Sequence, residues 1–532
     1  MKKISCSKII LFCFFVLIFI SCSRGKDTLQ FNLVNETIQL DWNMAVDPSS
    51  IVILDNLMEG LTSYAESLKN SRGAQLRPMP ALAASWTVLD GGKRYRFHLR
   101  KNVFWTDGEV LRAQHFVDSW KRLLDPLTKS EASYHLYDII GAKEFAEEKI
   151  KDFSSVGIKA IDDSTLEVLL KYPAPYFLHL VATVNTYPIR IDLIEKYGTN
   201  WTSKENLVTL GAYALSSIIP GDSIGLKANT NYWMKEEISI PYINCKMVSE
   251  PVTALALYEN NELDILPKDL PPSYISFWQK HPHYKTGPKL SVSYLIFPTN
   301  KKPFDTQAAR KSFARAIQRE RLAVFLKGSH SATSAWIPPA MNSYIKEIGL
   351  QFENQKTSTL RGKEVLLRYS GSDNWNLVFQ SLQKMVKENI GLQLRLDPVN
   401  TKDYRSFLSE INSGKKNEMP HILHLGWAAD YPDEHSFMNV FTSSSDSNYT
   451  DWRNEHYDAL IEKAVSLENE EARKTLYTEA QKILLEDEMV LIPLFHASHQ
   501  VLVKPLVHGV TLNSLDKWYF KNLKFVNIDE TP

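Results

Sequence analysis

The chain has 532 residues, enough for three or four domains of roughly 150 residues each, and 44% of them are hydrophobic, so it can bury a sizeable core and is not a disordered chain. Its 61 basic and 61 acidic residues balance, which argues against a nucleic-acid partner, for which a basic stripe is expected.

The first element is a leader. Lys2, Lys3 and Lys8 precede an apolar run from Ile9 to Ile20, and 12 residues are too few for a bilayer span, which needs about 20. A basic start, a short apolar stretch and small Ser21 read as an export signal over residues 1–21. "FISC" before Ser23 resembles the bacterial lipoprotein box, which implies that Cys22 becomes a lipid-modified first residue; Phe19 stands where that box usually has Leu, Val or Ile. The alternative is a leader cleaved without lipidation. The leader takes three of the 61 bases and no acid, so 58 face 61 and the exported chain carries about −3. Cys6 and Cys13 leave with it, and with Cys22 lipidated Cys245 has no partner for an intramolecular disulfide.

Strand and helix signals then alternate. "RYRFHLR" (94–100), "TLEVLLK" (165–171) and "VLLRYSG" (365–371) read as strands. "RAQHFVDSWKRLL" (112–124) and "EARKTLYTEAQKILLED" (471–487) read as helices, the second with Leu476, Ala480, Ile483 and Leu484 on one face. The runs 412–418 and 442–451 read as loops. The mixture gives an α/β class.

Several short motifs have an ordinary explanation. "GDSIG" (221–225) matches the nucleophile elbow, but both flanks of Ser223 read as strands, so Pro220-Gly221-Asp222 is a hairpin turn rather than a strand-to-helix elbow. A serine hydrolase would rest on Ser223 alone. His281 and His283 lack further ligands at metal-site spacing and read as solvated loop histidines. "DGG" (90–92) is a turn, and no phosphate-binding loop or dinucleotide fingerprint occurs. No cofactor or metal is expected.

The long motifs are more specific. "RFHLRKNVFWTDGEVLRAQHFVDSWKRLLDP" (96–126) resembles the signature of the extracellular solute-binding proteins of family 5, the peptide-binding lipoproteins of ATP-binding-cassette (ABC) importers. Phe97, Leu99, Arg100, Trp105, Asp107, Gly108, Ala113, Phe116, Val117 and Ser119 carry the match. Segments 156–177, 206–233, 256–266, 303–322 and 501–510 follow in family order, so the resemblance covers nearly the whole chain from Asp27. Asp107-Gly108 suits a turn, and Thr306 a helix cap, so these are scaffold.

The resemblance implies a two-lobe periplasmic-binding-protein fold (type II, cluster C-like) with an extra α/β domain and a discontinuous first lobe. The expected division is 28–58, 187–288 and 492–532 for lobe one, 59–186 for the extra domain, and 289–491 for lobe two, after a signal (1–21) and anchored linker (22–27). Two crossings, near 288 and 492, would form a hinge. The implied ligand is an extended oligopeptide adding like a strand to exposed main chain. "LGWAADY" (425–431) matches the segment that runs along the peptide, so Asp430 receives the α-ammonium, Gly426 and Ala428 supply main-chain groups, and Trp427 lies beside a ligand side chain. On the other wall "LDW" (40–42) stands for an L-D-P-like motif, and Ala45 to Ser49, including Val46, Asp47 and Pro48, faces the ligand. Tyr404 falls where the family lines a pocket with an aromatic, although core packing explains it equally well. The carboxylate end departs from well-known relatives: His424 stands where they have arginine, and Trp375 where they have a histidine. Lys327, His424 and the Lys415/Lys416 loop are the basic candidates there. The implied partners are an ABC permease and its ATPase subunits. The implied protein is a non-enzymatic, periplasmic, lipid-anchored monomer. Murein peptides, dipeptides, haem or a nickel chelate remain alternative ligands.

Overall fold

The computed structural model describes residues 26–34, 37–66, 76–267, 270–271, 273–341, 343–353, 358–412, 414 and 418–526. Cys22, Lys415 and Lys416 lie outside the described residues.

A seven-stranded sheet runs in the order Tyr284–Lys285, Val501–Val503, Ile265–Leu266, Thr28–Leu33, Tyr242–Met247, Ser223–Ala228 and Tyr213–Ile219. Its strands come from distant stretches of sequence, so this lobe is discontinuous. The second lobe is built on a six-stranded sheet: His330–Ala332, Leu491–Ser498, Pro288–Ile296, Ile422–Ala428, Glu364–Ser370 and Gln393–Val399. Two apolar cores cover it, one around Trp336, Phe437 and Tyr457, the other around Phe313, Phe379 and Val386. The result is a mixed α/β, two-lobe fold. A four-stranded antiparallel sheet, Ala83–Leu89, Arg94–Leu99, Thr165–Leu169 and Ile158–Asp162, forms a further unit. Helix Ala113–Leu124 buries Phe116, Trp120, Leu123 and Leu124 in it, and this core is continuous with that of the seven-stranded lobe.

The chain passes between the lobes at 286–287 and 499–500, where the His499 amide donates to the Gly287 carbonyl at 2.8 Å. The second crossing therefore lies beyond the expected position near 492. Leu491–Ser498 pairs along Pro288–Ile296, and its first six residues are buried, so their main-chain groups need ladder partners inside the sheet. Away from these crossings, Tyr176 of the smaller unit stacks on Tyr431 and His435 of the second lobe, with centroids 5.1 and 4.6 Å apart.

Local chemistry explains several elements. Tyr213–Ile219 and Ser223–Ala228 form the expected hairpin, with Gly221 at φ 71° in the turn. Ser223 starts a strand, and its hydroxyl donates to Asp222 at 2.7 Å. Thr306 caps helix Gln307–Arg315 by accepting from the Ala309 amide at 3.3 Å. Helix Glu470–Lys482 and the turn that follows it bury Ala480, Ile483 and Leu484 of the expected face, with Leu476 half-buried against the same core, and Arg473, Tyr477 and Gln481 are buried as well. His281 and His283 are half-buried rather than solvated, because both rings pack on Trp278. Among the described residues no group of three His, Cys, Asp or Glu is placed to hold a metal.

Candidate functional site

Strand Ile422–Ala428 is buried through Leu425 and then emerges at Gly426 and Ala428. Pro288–Ile296 pairs with it on one side as far as Ala428. On the other side Glu364–Ser370 reaches only Ile422 and Leu423. Beyond His424 that edge has no neighbouring strand among the described residues. The Ala429 amide donates to the Leu290 carbonyl at 2.8 Å. In an antiparallel ladder main-chain groups alternate in direction. Trp427 and Leu425 therefore face Pro288–Ile296, while Gly426 and Ala428 turn amide and carbonyl to the vacant edge. A Cβ added at Gly426 would meet nothing within 4 Å, so the sheet face over it is open as well. The upstream end of the edge is closed, because the Tyr404 hydroxyl donates to the His424 carbonyl.

Asp430 stands two residues past Ala428. Its amide donates to the Ser436 hydroxyl at 3.1 Å, and the Trp427 indole donates to the Ser436 carbonyl at 2.8 Å. Ser436, 5% exposed, thus orients both residues from one short turn. Across the cleft the Tyr134 hydroxyl donates to the Asp430 carboxylate at 3.1 Å. Burial pushes the Asp430 carboxyl above its ordinary value, against the opposing pull of His135 and the Tyr134 hydroxyl. Among the described residues no lysine or arginine forms an ion pair with Asp430. A half-buried carboxylate held in this way, with no lysine or arginine partner, is suited to receive a cation.

The next acid is treated differently. Asp433 accepts from Arg473 at 2.6 and 2.8 Å, and the two side chains are each 9% exposed. Burial pushes Asp433 up, but the Arg473 charge and hydrogen bond, with the His435 amide, hold its carboxyl below the usual range. Asp433 is already neutralised, whereas Asp430 is not.

The other expected site residues divide. Pro48 and Ala428 share the wall of a cavity of about 350 Å³ between the lobes. Asp47 is the cap of helix Pro48–Leu57, accepting from the Ser50 amide at 2.9 Å, and Pro48 occupies its first turn. Val46 is exposed. Tyr404 is buried among Phe407 and Ile411, so it belongs to the core and braces the strand. His424 is not a cationic group. Its ring is buried against Trp375 and Phe379, with Nε2 2.7 Å from the Ser293 hydroxyl. Burial, with a contribution from His330, pushes its pKa down to about 3, so at neutral pH it offers no charge to a carboxylate. Lys327 adjoins the edge strand His330–Ala332, with two strands between that one and Ile422–Ala428. Tyr134, His135 and Ser436 carried no signal in the sequence.

Comparison with known proteins agrees with this architecture. The model of the bacterial extracellular solute-binding proteins, family 5 Middle, matches residues 77–449. The periplasmic oligopeptide-binding protein OppA of Escherichia coli (strain K12) is 30% identical over 470 residues, covering 84% of this chain and 85% of that protein. The crystal structure of Haemophilus influenzae OppA in complex with RPPGFSPFR shares the fold, with a TM-score of 0.78 at 24% identity over 94% of this chain and 99% of the other. The Escherichia coli murein tripeptide binding protein MppA gives a TM-score of 0.78 at 25% identity, again over 94% and 99%. Two lobes, a vacant strand edge between them and a family match spanning most of the chain lead to one assignment: the chain belongs to family 5 of the bacterial extracellular solute-binding proteins.

Proposed function

We propose that the chain is the substrate-binding component of an ABC importer that captures extended oligopeptides between its lobes and delivers them to a membrane permease. One observation carries this reading: the vacant edge at Gly426 and Ala428 ends at a carboxylate that has no lysine or arginine partner among the described residues. An extended peptide satisfies both. Its backbone pairs with the edge regardless of side chains, and its free amine pairs with Asp430. Catalysis is not needed for this role. The lobes are taken as 28–58, 187–287 and 499–532 against 288–498, with 59–186 as the additional domain. The adjacent crossings at 286–287 and 499–500 act as the hinge.

A ligand that binds only the closed form stabilises it by about 2.7 kcal/mol at a hundredfold excess over its dissociation constant. Mixed free-amine tripeptides to pentapeptides should therefore raise the unfolding temperature in scanning calorimetry and reduce the radius of gyration in X-ray scattering. Peptides that leave both quantities unchanged at millimolar concentration would refute the assignment.

Export with a lipid anchor at Cys22 completes the proposal, on the basis of the basic, apolar leader and "FISC". In a bacterial host Cys22→Ala should abolish palmitate incorporation and release the protein from the membrane fraction. Label retained by that variant would rule the anchor out.

A further inference from the structure

The vacant edge dictates the direction of a bound chain. Asp430 lies downstream of Gly426 and Ala428, so a ligand whose amine meets Asp430 runs back past Ala428 towards Gly426, antiparallel to Ile422–Ala428. The spaces on the two sides of the anchor differ in kind. Beyond the amine, around Asp433 and Glu434, a chamber of about 360 Å³ also carries Arg77 and Arg473 in its wall. Flanking Ala428 and Ala429, where the ligand's first residues would lie, the chamber of about 350 Å³ is walled mainly by apolar residues, Phe31, Leu33, Leu515 and Trp518 among them, with Asn32, Ser49, Ser291 and Ser514 also in its wall. Lys289 and Asp516 also reach it, but they pair with each other across the lobes at 3.0 Å.

We propose that this second chamber is a side-chain subsite that selects an apolar residue at one of the ligand's first two positions. The inference rests on the peptide reading above and adds a preference to it. Distance sets the position. Ala428 and Ala429 lie within two residues of Asp430, and a strand advances roughly 3.3 Å per residue, so only the first two ligand side chains come alongside. Chemistry sets the class. Water lying against the apolar part of this wall finds few hydrogen-bond partners and is readily displaced. An aliphatic or aromatic side chain entering there is removed from water along most of its surface. A lysine or aspartate side chain entering the same space would lose its hydration with both wall charges already paired. The volume falls in the lower part of the small-molecule pocket range, which is ample for one large side chain. The apolar character is also not a general property of the cleft, because the neighbouring chamber is lined by charge.

Isothermal titration of the whole protein with Ala-Ala-Ala and its single variants tests the proposal. Leu, Phe, Lys and Asp are each placed at the first and at the second position. Leu or Phe should bind at least about tenfold tighter than Ala at one of the two positions, the gain expected for burying one such side chain. Lys and Asp should be weaker than Ala at that position. Leu515→Trp, which fills the chamber, should shrink the Leu-to-Lys ratio there to within about threefold. Affinities that stay within about twofold at both positions would overturn the subsite, as would a preference undiminished in Leu515→Trp. N-acetylated copies of the series separate the two claims. Flat side-chain dependence together with a large acetylation loss removes only the subsite. The absence of any amine-dependent binding removes the peptide reading and the subsite together.

Discussion

Asp430→Asn should weaken binding of a free-amine peptide by about 2–5 kcal/mol, because it leaves the ligand's ammonium buried opposite a neutral amide. N-acetylating the peptide should cost the native protein a comparable amount, since it removes the other member of the pair. The two changes together should cost clearly less than their sum, because one interaction cannot be lost twice. The acid is not a helix cap: its carboxylate accepts from Tyr134 across the cleft, while its own amide is bound to Ser436. Burial already holds its carboxyl above the ordinary value in the free protein. Neutralising it should therefore leave the unfolding temperature unchanged or slightly higher. The same shift sets the pH profile. An ammonium pairs only with the ionised acid, so affinity should fall as the pH drops through the raised pKa of Asp430 and level off above it. Calorimetry on the four combinations of protein and peptide, repeated across pH, measures both effects. Strictly additive losses, or a destabilised Asp430→Asn protein that binds normally, would exclude Asp430 from the site.

Arg473→Met should destabilise the fold by about 3–5 kcal/mol at neutral pH, the cost of leaving a buried carboxylate unpaired. Asp433 has no other cation in ion-pair range among the described residues, and its side chain is 9% exposed. The sign with pH follows from its pKa, which lies below the unfolded value of about 3.9. In the native protein its contribution is fully present above the unfolded pKa and is lost as pH falls through the lower folded pKa. In Arg473→Met the stranded acid has a raised pKa instead, so protonation relieves the penalty. The gap between variant and native protein should be widest at pH 7 and should narrow towards pH 4. Urea denaturation at the two pH values checks this. A loss below 1 kcal/mol at pH 7, or one independent of pH, would mean that the pair is dispensable. Replacing Asp433 and Arg473 together by Leu and Met should cost less than Arg473→Met alone, since neither member of the pair is then left unpaired.

Legibility of the site followed how local each cause was. The hairpin around Gly221 was legible because a turn residue with positive φ and two strand-like flanks act within a few residues. It also settled how to read Ser223 without any knowledge of the fold. Thr306 was legible as a cap for the same reason. Asp47 and Pro48, by contrast, look like loop residues in the sequence and prove to start a helix. Val52, Ile53, Leu54 and Leu57 of that helix are all buried, together with Asp55 and Asn56, so no one-sided apolar stripe announces it.

By itself the sequence determined the α/β class, the family and the candidate acid, because periodicity, turn chemistry and long motifs are written in neighbouring residues. Only the tertiary structure decided what each charged or aromatic group faces. Tyr134 meets Asp430 across 296 positions of chain, and nothing near either residue announces the other. His424 looks like a cation in the sequence and is neutral in the fold, because Trp375 and Phe379 remove its water. Asp430 and Asp433 are nearly interchangeable as letters. Asp433 is paired with Arg473, because helix Glu470–Lys482 packs against it, whereas Asp430 accepts from Tyr134 at the end of the sheet edge. Helical and strand periods report which face is buried, whereas the electrostatic role of a side chain depends on the partners that burial brings to it.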